Sequence, residues 1–556
     1  MRGPWAVFAA PSPGSLATSF NVLLPADWLG GRVTLRAMVD ATGAIRETDE
    51  GNNTATLELS FVEQPPLDVR IVPIDYTHVP TGRQFPGPVE DGVSDWLMRA
   101  FPVSAVHVSF RAPIGFAGDL GDPKEWNRLL NYVTAIKRAD GAPSSQVYYG
   151  LIPTSNPAGD YYPRAWGGMA WISWRAGIGV FYPDDLDSTG ELAGHEIGHT
   201  FGRYHAPCGK PADPDRSYPY ADGSIGQFGF DLGRMRIWSP GAPNYARDLM
   251  TYCPPKWVSD YTYAGLYHDQ QVHGQSPAQA LQDALFVRAT LDRDGAAALL
   301  PSFVLPAVPT AVVKSDYTIE LVDGQGRVVA AQPAPVLEAQ DGEPGVRAIE
   351  AVVPLPGREV AVVRLLRAAK PVAERRLAAP GTAPAAGASL EQEPTAVILR
   401  WGEPATAALV RYTADGGRSW TTVGLDVLGG ELRVDIHALP GGVGRFEVRL
   451  ADHAGPALRA VALPHPLPNA APRAWVTGPA AAVAGQPVIL YGHAADREDG
   501  VLGTLRWTVD GREVQAGQVL QLDDLAPGEH TVTLTARDRA GQVARAEHRV
   551  LIAGND

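Results

Sequence analysis

The chain has 556 residues, 45% of them hydrophobic and 19% charged, and a formal net charge of −14. That length implies on the order of three to five domains. The acidic balance and the lack of a basic stripe with interleaved aromatics argue against a nucleic-acid partner, and no run approaches the ~18–20 apolar residues of a membrane span. Glycine (59) and proline (49) are spread along the chain, a pattern that fits many short strands and turns.

The chain opens Met1-Arg-Gly-Pro-Trp-Ala-Val-Phe, a short apolar patch broken by proline and a poor signal peptide. Residues 1–64 read as strands, over 20–25, 32–40 and 54–62, with a polar turn at 44–53. The run Val39-Asp-Ala-Thr-Gly-Ala-Ile-Arg-Glu-Thr-Asp-Glu-Gly-Asn-Asn before a closing strand resembles the end of the CARDB family of bacterial β-sandwiches. The resemblance covers about the second half of such a module, so the chain is expected to begin inside a domain.

Gln64-Pro-Pro is a hinge, and after it the patterning changes. Strands are expected at 68–74, 105–110 and 146–152. Helices are expected over 89–101 (Val93, Trp96, Leu97, Phe101) and 123–139 (Trp126, Leu129, Leu130, Val133, Ile136). Strand–helix alternation implies an α/β sheet with crossover helices, over a domain at 65–275. The stretch 167–180 can hold an edge strand, which either completes the sheet or pairs with an extended peptide.

Beyond about residue 275 the helical signal fades. A β-sandwich is expected at 277–380, with Pro380-Gly-Thr-Ala-Pro-Ala-Ala-Gly as linker. Residues 388–464 resemble a fibronectin type III-like sandwich, on Ala396-Val-Ile-Leu-Arg-Trp, Val410-Arg-Tyr and Gly444-Arg-Phe-Glu-Val-Arg-Leu. Residues 473–556 resemble a PKD- or Ig-like surface module, on Asp496-Arg-Glu-Asp-Gly, Trp507 and Gly528-Glu-His-Thr-Val-Thr-Leu. Trp401, Trp420 and Trp507 are each either a sandwich core residue or a platform for a carbohydrate or cell-surface ligand.

The chemistry is concentrated in residues 188–205. Ser188 and Glu191 have the spacing of a capping box, a helix start. His195 and His199 are four apart, so they project from one helix face and can share a metal ion. Neutral imidazoles suit Zn²⁺. Glu196 sits beside the first ligand, where it can take a proton from water and pass it to a leaving amine. Gly202 can end the helix in a left-handed turn and bring His205 back to the same ion.

The whole string His195-Glu-Ile-Gly-His-Thr-Phe-Gly-Arg-Tyr-His205 resembles the zinc-binding signature of the metzincin metallopeptidases. That resemblance implies His195, His199 and His205 as metal ligands and Glu196 as general base. It also implies a Met-turn beneath the metal, for which Asp248-Leu-Met250-Thr-Tyr252 is the candidate, with Met250 as its methionine. Tyr252, two places on, either ligates zinc and swings to stabilise the oxyanion, as in astacin-like and serralysin-like members, or packs. Ala206 departs from the residues that mark the better-known subfamilies, so no subfamily follows.

If the third histidine and the Met-turn surround one zinc, the only two cysteines, Cys208 and Cys253, are neighbours. A disulfide between them suits an extracellular location. A cysteine-switch element at Pro207-Cys-Gly and a second metal site are the alternatives. Asp213, Asp215, Asp222 and Asp231 between the third histidine and the Met-turn are either solvated loop acids or a Ca²⁺ site. The expected protein is multidomain, with an α/β (α+β) metzincin-like catalytic domain flanked by β-sandwiches. It is expected to be a secreted or surface zinc endopeptidase acting on proteins or glycoproteins. The competing reading is a surface adhesin or glycan-binding protein with a vestigial zinc domain.

Overall fold

The computed structural model describes residues 12–554 apart from 19–21, 23, 26–27, 155–165, 243–244, 276–280, 343–346, 379–386, 456–457 and 524. The chain is mostly β-structure. β1 (Gly31–Met38) and β2 (Thr54–Phe61) form a two-stranded antiparallel hairpin. The strand expected over 20–25 falls largely outside the described residues, as does the linker after Pro380.

The site is carried by a seven-stranded sheet. Its strands are β3 (Leu67–His78), β4 (Arg83–Phe85), β5 (Val106–Phe110), β6 (Ile114–Gly118), β7 (Val147–Ile152), β8 (Gly168–Ala170) and β9 (Ala176–Val180). β3, β7 and β9 run parallel through the centre, and β8 closes one edge antiparallel to β9. β7 and β9 are buried at every position, as expected of strands covered on both faces.

Helices cover the two faces. α2 (Pro123–Asp140) starts where Asp122 accepts from Lys124 N with Pro123 at the first turn, and it stops at Gly141, whose φ is +72°. Its apolar side, Trp126, Leu129, Leu130, Val133 and Ile136, packs on one face. On the other face lie α1 (Ser94–Ala100) and α3 (Leu186–Thr200), through Trp96, Leu97, Ala193, Ile197 and Phe201. α1 begins later than the periodicity predicts, because the Asp91 carboxylate accepts from Val93 N and Ser94 N and holds the preceding residues as a turn. β6 was not expected. It continues the pairing along β3 beyond β5. After α3, short pairs β10 (Gly229–Asp231) with β11 (Arg236–Trp238) and β12 (Arg247–Asp248) with β13 (Lys256–Trp257) lead to α4 (Asp260–His273).

A second layered unit packs directly on the first. β14 (Gln282–Leu291), β15 (Ala297–Leu299) and β16 (Phe303–Ala307) join one sheet with β19 (Val336–Glu338) and β20 (Arg347–Pro354). β17 (Tyr317–Val322), β18 (Val328–Pro333), β21 (Val362–Arg367) and β22 (Lys370–Arg376) form the facing sheet. From Ala284 to Ala289, β14 is buried on both faces. Leu285, Val287 and Ala289 point into the sandwich, while Ala284 and Phe286 join Leu337, Ala348 and Val352 against the core around α2, Met169 and Trp171. That shared core fixes the β19–β20 hairpin beside the edge strand β8. Farther on, the cores of residues 396–467 and 488–552 enclose Trp401 and Trp507, each fully buried, so neither offers a sugar platform.

Among the described residues no helix is long and apolar enough to cross a membrane.

Candidate metal centre

α3 starts three residues before the expected capping box. Asp185 is the cap, accepting from Ser188 N at 3.0 Å, and the Ser188 hydroxyl donates to the same carboxylate at 2.6 Å. Glu191 faces Lys256 instead, at 3.3 Å. The earlier start leaves the histidine register unchanged. The helix ends before Gly202, whose φ of +76° is the left-handed turn expected there. Arg203 N then donates back to Gly198 O at 3.1 Å, which reverses the chain toward His205.

The three imidazoles converge. Their Nε2 atoms stand 3.2 to 3.3 Å apart, and all three rings are buried. His195 Nδ1 lies 2.8 Å from Leu249 O and His199 Nδ1 lies 2.6 Å from Arg203 O. A carbonyl only accepts, so these two Nδ1 atoms carry the protons and the Nε2 lone pairs of His195 and His199 face into the cluster. Burial pushes the His195 imidazole down to about 3 despite the neighbouring Asp341 carboxylate, so the ring is neutral. Converging lone pairs in a buried place require a cation. Ligand nitrogens about 2.0–2.1 Å from a tetrahedral Zn²⁺ would be about 3.3 Å apart. The residues therefore fit the ion.

A fourth group completes the tetrahedron, and sequence reasoning did not find it. Asp341, in the loop of the β19–β20 hairpin, places Oδ2 3.1 Å from His199 Nε2, 3.2 Å from His205 Nε2 and 3.5 Å from His195 Nε2. These four side chains are the one such cluster of potential metal ligands among the described residues. Burial pushes the Asp341 carboxyl up, but the three imidazoles set against it prevail and hold it well below the usual carboxylate range. Its other oxygen accepts from the Tyr252 phenol at 2.5 Å. Nothing in the spacing of Asp341, 136 residues after His205, signals this placement.

Glu196 lies next to the cluster, fully enclosed, with Oε2 lacking a hydrogen-bond partner. Burial raises its carboxyl well above the ordinary range, the charge of Asp341 adds to this, and Lys256 opposes it. Gly168 of the edge strand leaves it room, since a β-carbon there would stand 2.5 Å from Glu196 Oε1. Met250 lies beneath, its Sδ 2.7 Å from the place of a β-carbon on Gly198, between the two helical histidines. The turn carrying it is tied by Asp248, which accepts from Met250 N at 2.8 Å and Ser259 N at 2.9 Å. Ala206 N donates to Met250 O at 2.9 Å, joining this turn to the third histidine.

Tyr252 lies with its ring centroid 4.7 Å from that of His205. Burial and the adjacent Asp341 carboxylate push its phenol up. Cys208 and Cys253 form a disulfide across 45 residues, joining the chain after His205 to the chain after Tyr252. The four loop acids do not converge on a calcium site. Asp215 accepts from the Tyr261 phenol and Ser217 N, Asp222 accepts from the Tyr245 phenol, and Asp231 pairs with Arg99. Asp213 contributes its backbone carbonyl to Gln340.

Residues 118–278 match the Peptidase M66 family. It is a family of zinc metallopeptidases, and the M66 match spans α2, the edge strand, the three histidines, Glu196 and the Met250 turn. The M66 match and the histidine cluster support a zinc metallopeptidase, which implies a protein substrate. No curated protein sequence matches the chain.

Among solved structures, the chain is similar to fibronectin(III)-like modules of Clostridium thermocellum CbhA. That similarity is at 11% identity, 30% of this chain, 94% of that one and TM-score 0.14. A tetra-tandem repeat from the extending region of a large adhesion protein matches at 13% identity, over 50% of this chain and 93% of that one, with TM-score 0.17. The BSP domain of a biofilm-associated protein matches at 10% identity, over 54% and 71%, with TM-score 0.12. Likeness at these scores bears on neither fold nor function.

Proposed function

We propose that the chain is a zinc endopeptidase of metzincin type, secreted or displayed at a cell surface, that hydrolyses proteins or glycoproteins. The observation that carries this reading is the convergence of three Nε2 atoms, 3.2 to 3.3 Å apart, beside a buried Glu196 whose Oε2 has no hydrogen-bond partner. A purely structural zinc site has no use for that carboxylate. His195, His199 and His205 would hold the ion, oriented by the carbonyls of Leu249 and Arg203.

Zinc bound there would supply a Lewis acid that polarises a scissile carbonyl and acidifies water. Glu196, with its raised affinity for a proton, takes one from the attacking water and hands it to the departing amine. Tyr252, whose phenol already donates to a carboxylate oxygen at the cluster, donates to the oxyanion that develops during attack. Met250 supports the histidines from below without entering the cluster. The disulfide agrees with an oxidising compartment.

Incubation of casein and of a mucin with the native chain and the Asp341→Ala variant, with and without a chelator and with zinc restored, tests the proposal. Cleavage that the chelator stops and zinc restores is expected. No cleavage by either protein, or cleavage indifferent to the chelator, would overturn it.

A further inference from the structure

We infer that this chain carries its own occupant of the substrate cleft: residues 338–342, with Asp341 as a removable fourth ligand that holds the site closed at rest. The inference rests on the zinc-peptidase reading. It starts from the edge of the sheet. β8 pairs with β9 on one side only, and just past it the other side of the strand is taken by the chain itself. Trp171 forms an antiparallel bridge with Ala339, and Ile172 N donates to Glu338 O at 2.9 Å. An extended segment thus lies along the edge strand, as a bound peptide would by strand addition.

The segment then enters the cluster. Asp341 Oδ2 stands 3.1 to 3.5 Å from all three Nε2 atoms, and Oδ1 accepts from Tyr252. One oxygen at the fourth ligand position and the other on the phenol is how a peptide carboxylate or a tetrahedral centre would bind there. Gln340 anchors the segment on both flanks, accepting from His205 N at 2.6 Å and donating to Asp213 O at 2.9 Å. Gly342, at φ +127°, lets the hairpin lie against Met169, where a β-carbon would stand 2.8 Å from Cε. Five successive residues, 338 to 342, therefore contact the cleft.

A structural metal site also has four protein ligands and no free position. Two features separate this one from that case. Glu196 remains buried beside the cluster, its Oε2 without a hydrogen-bond partner. The fourth ligand comes from a hairpin loop of a different sheet, whereas the three histidines and the turn beneath them lie in one continuous stretch. Protein substrate must displace Asp341 to reach the metal position. The resting chain is consequently a slow peptidase, and release of the hairpin is its activating step.

The test uses the full-length chain with Co²⁺ in place of zinc, so that coordination is read from visible absorption without an activity assay. Native protein, Asp341→Ala and the near-isosteric Asp341→Asn are titrated with acetohydroxamate, a small chelating metal ligand. Both variants are expected to retain one Co²⁺ per chain on the three histidines. They should bind acetohydroxamate about 100-fold more tightly than the native protein, as for a site closed about 99% of the time. Equal affinity for all three proteins, or loss of the metal or of the fold in both variants, would overturn the closure. Variants that bind acetohydroxamate tightly yet cut no protein would leave the closure standing and sink the peptidase reading instead.

Discussion

The Tyr252 phenol donates to Asp341 Oδ1 at 2.5 Å while the other oxygen of the same carboxylate sits against three histidine Nε2 atoms. A residue two places past Met250 and a residue from a separate β-sheet thus meet at the position where a reacting carbonyl would lie. The arrangement gives Tyr252 a hydrogen-bonding task rather than a packing one. In the Asp341→Ala background, where the site is open, Tyr252→Phe is expected to lower kcat by about 10²-fold, the usual cost of losing one oxyanion donor. KM and zinc content should stay near native. Steady-state kinetics on a peptide substrate, with metal analysis of the same samples, checks this. Unchanged kcat would return Tyr252 to packing.

Gly168 and Glu196 give a second prediction. A β-carbon at 168 would meet Glu196 Oε1 at 2.5 Å, so Gly168→Ala must displace the carboxylate. A shift of about 1 Å in a reacting group costs about 10²-fold in rate. The variant should keep its zinc and lose kcat, read by metal analysis and kinetics together. Native kcat would show that the position of Glu196 is not critical.

Metal removal should change stability as well as activity. Without a cation, three buried imidazoles and one buried carboxylate crowd together with no ion to hold them. Ligand binding to the folded state alone adds about 2.7 kcal/mol at a hundredfold excess over Kd. The chelated protein is expected to unfold at a lower temperature in calorimetry, with zinc restoring the native Tm. Identical Tm values would mean that the cluster holds no ion in the native protein.

The disulfide closes a loop across 45 residues that carries the chain from His205 to the Met250 turn. On the chain-entropy account a loop of this size contributes about 4 kcal/mol. Replacing both cysteines with serine should lower stability to denaturant by up to that amount. It should also weaken activity, because the bridge holds the residue next to Tyr252. Denaturant midpoints within error of native would show that the two loops are fixed by other contacts, such as Ala206 N to Met250 O.

The parts legible in the sequence are those set by short-range rules. The i, i+4 spacing of His195 and His199 and the left-handed Gly202 follow from helix geometry, so their convergence with His205 was readable. The apolar face of α2 and the fully buried β7 were readable from periodicity. The exact start of α3 was not, because Asp185 and Ser188 are both good caps and only the structure shows which accepts. Asp341 was invisible for a deeper reason. It reaches the cluster because β14 buries both of its faces, which docks one sheet on another and carries the β19–β20 hairpin to the edge strand. No local pattern encodes such a docking. Asp231 shows the converse. Its acidity suggested a cation site, yet it serves as partner to the buried Arg99.

Glu196 is proposed to drive peptide-bond hydrolysis at this cluster. The most direct measurement labels new N-termini by mass spectrometry after incubating a complex protein mixture with Asp341→Ala and with Asp341→Ala/Glu196→Gln, both loaded with zinc. Many new N-termini are expected for the first protein and a loss of at least about 10²-fold for the second, at equal zinc content. New N-termini at equal rates from both proteins would contradict it.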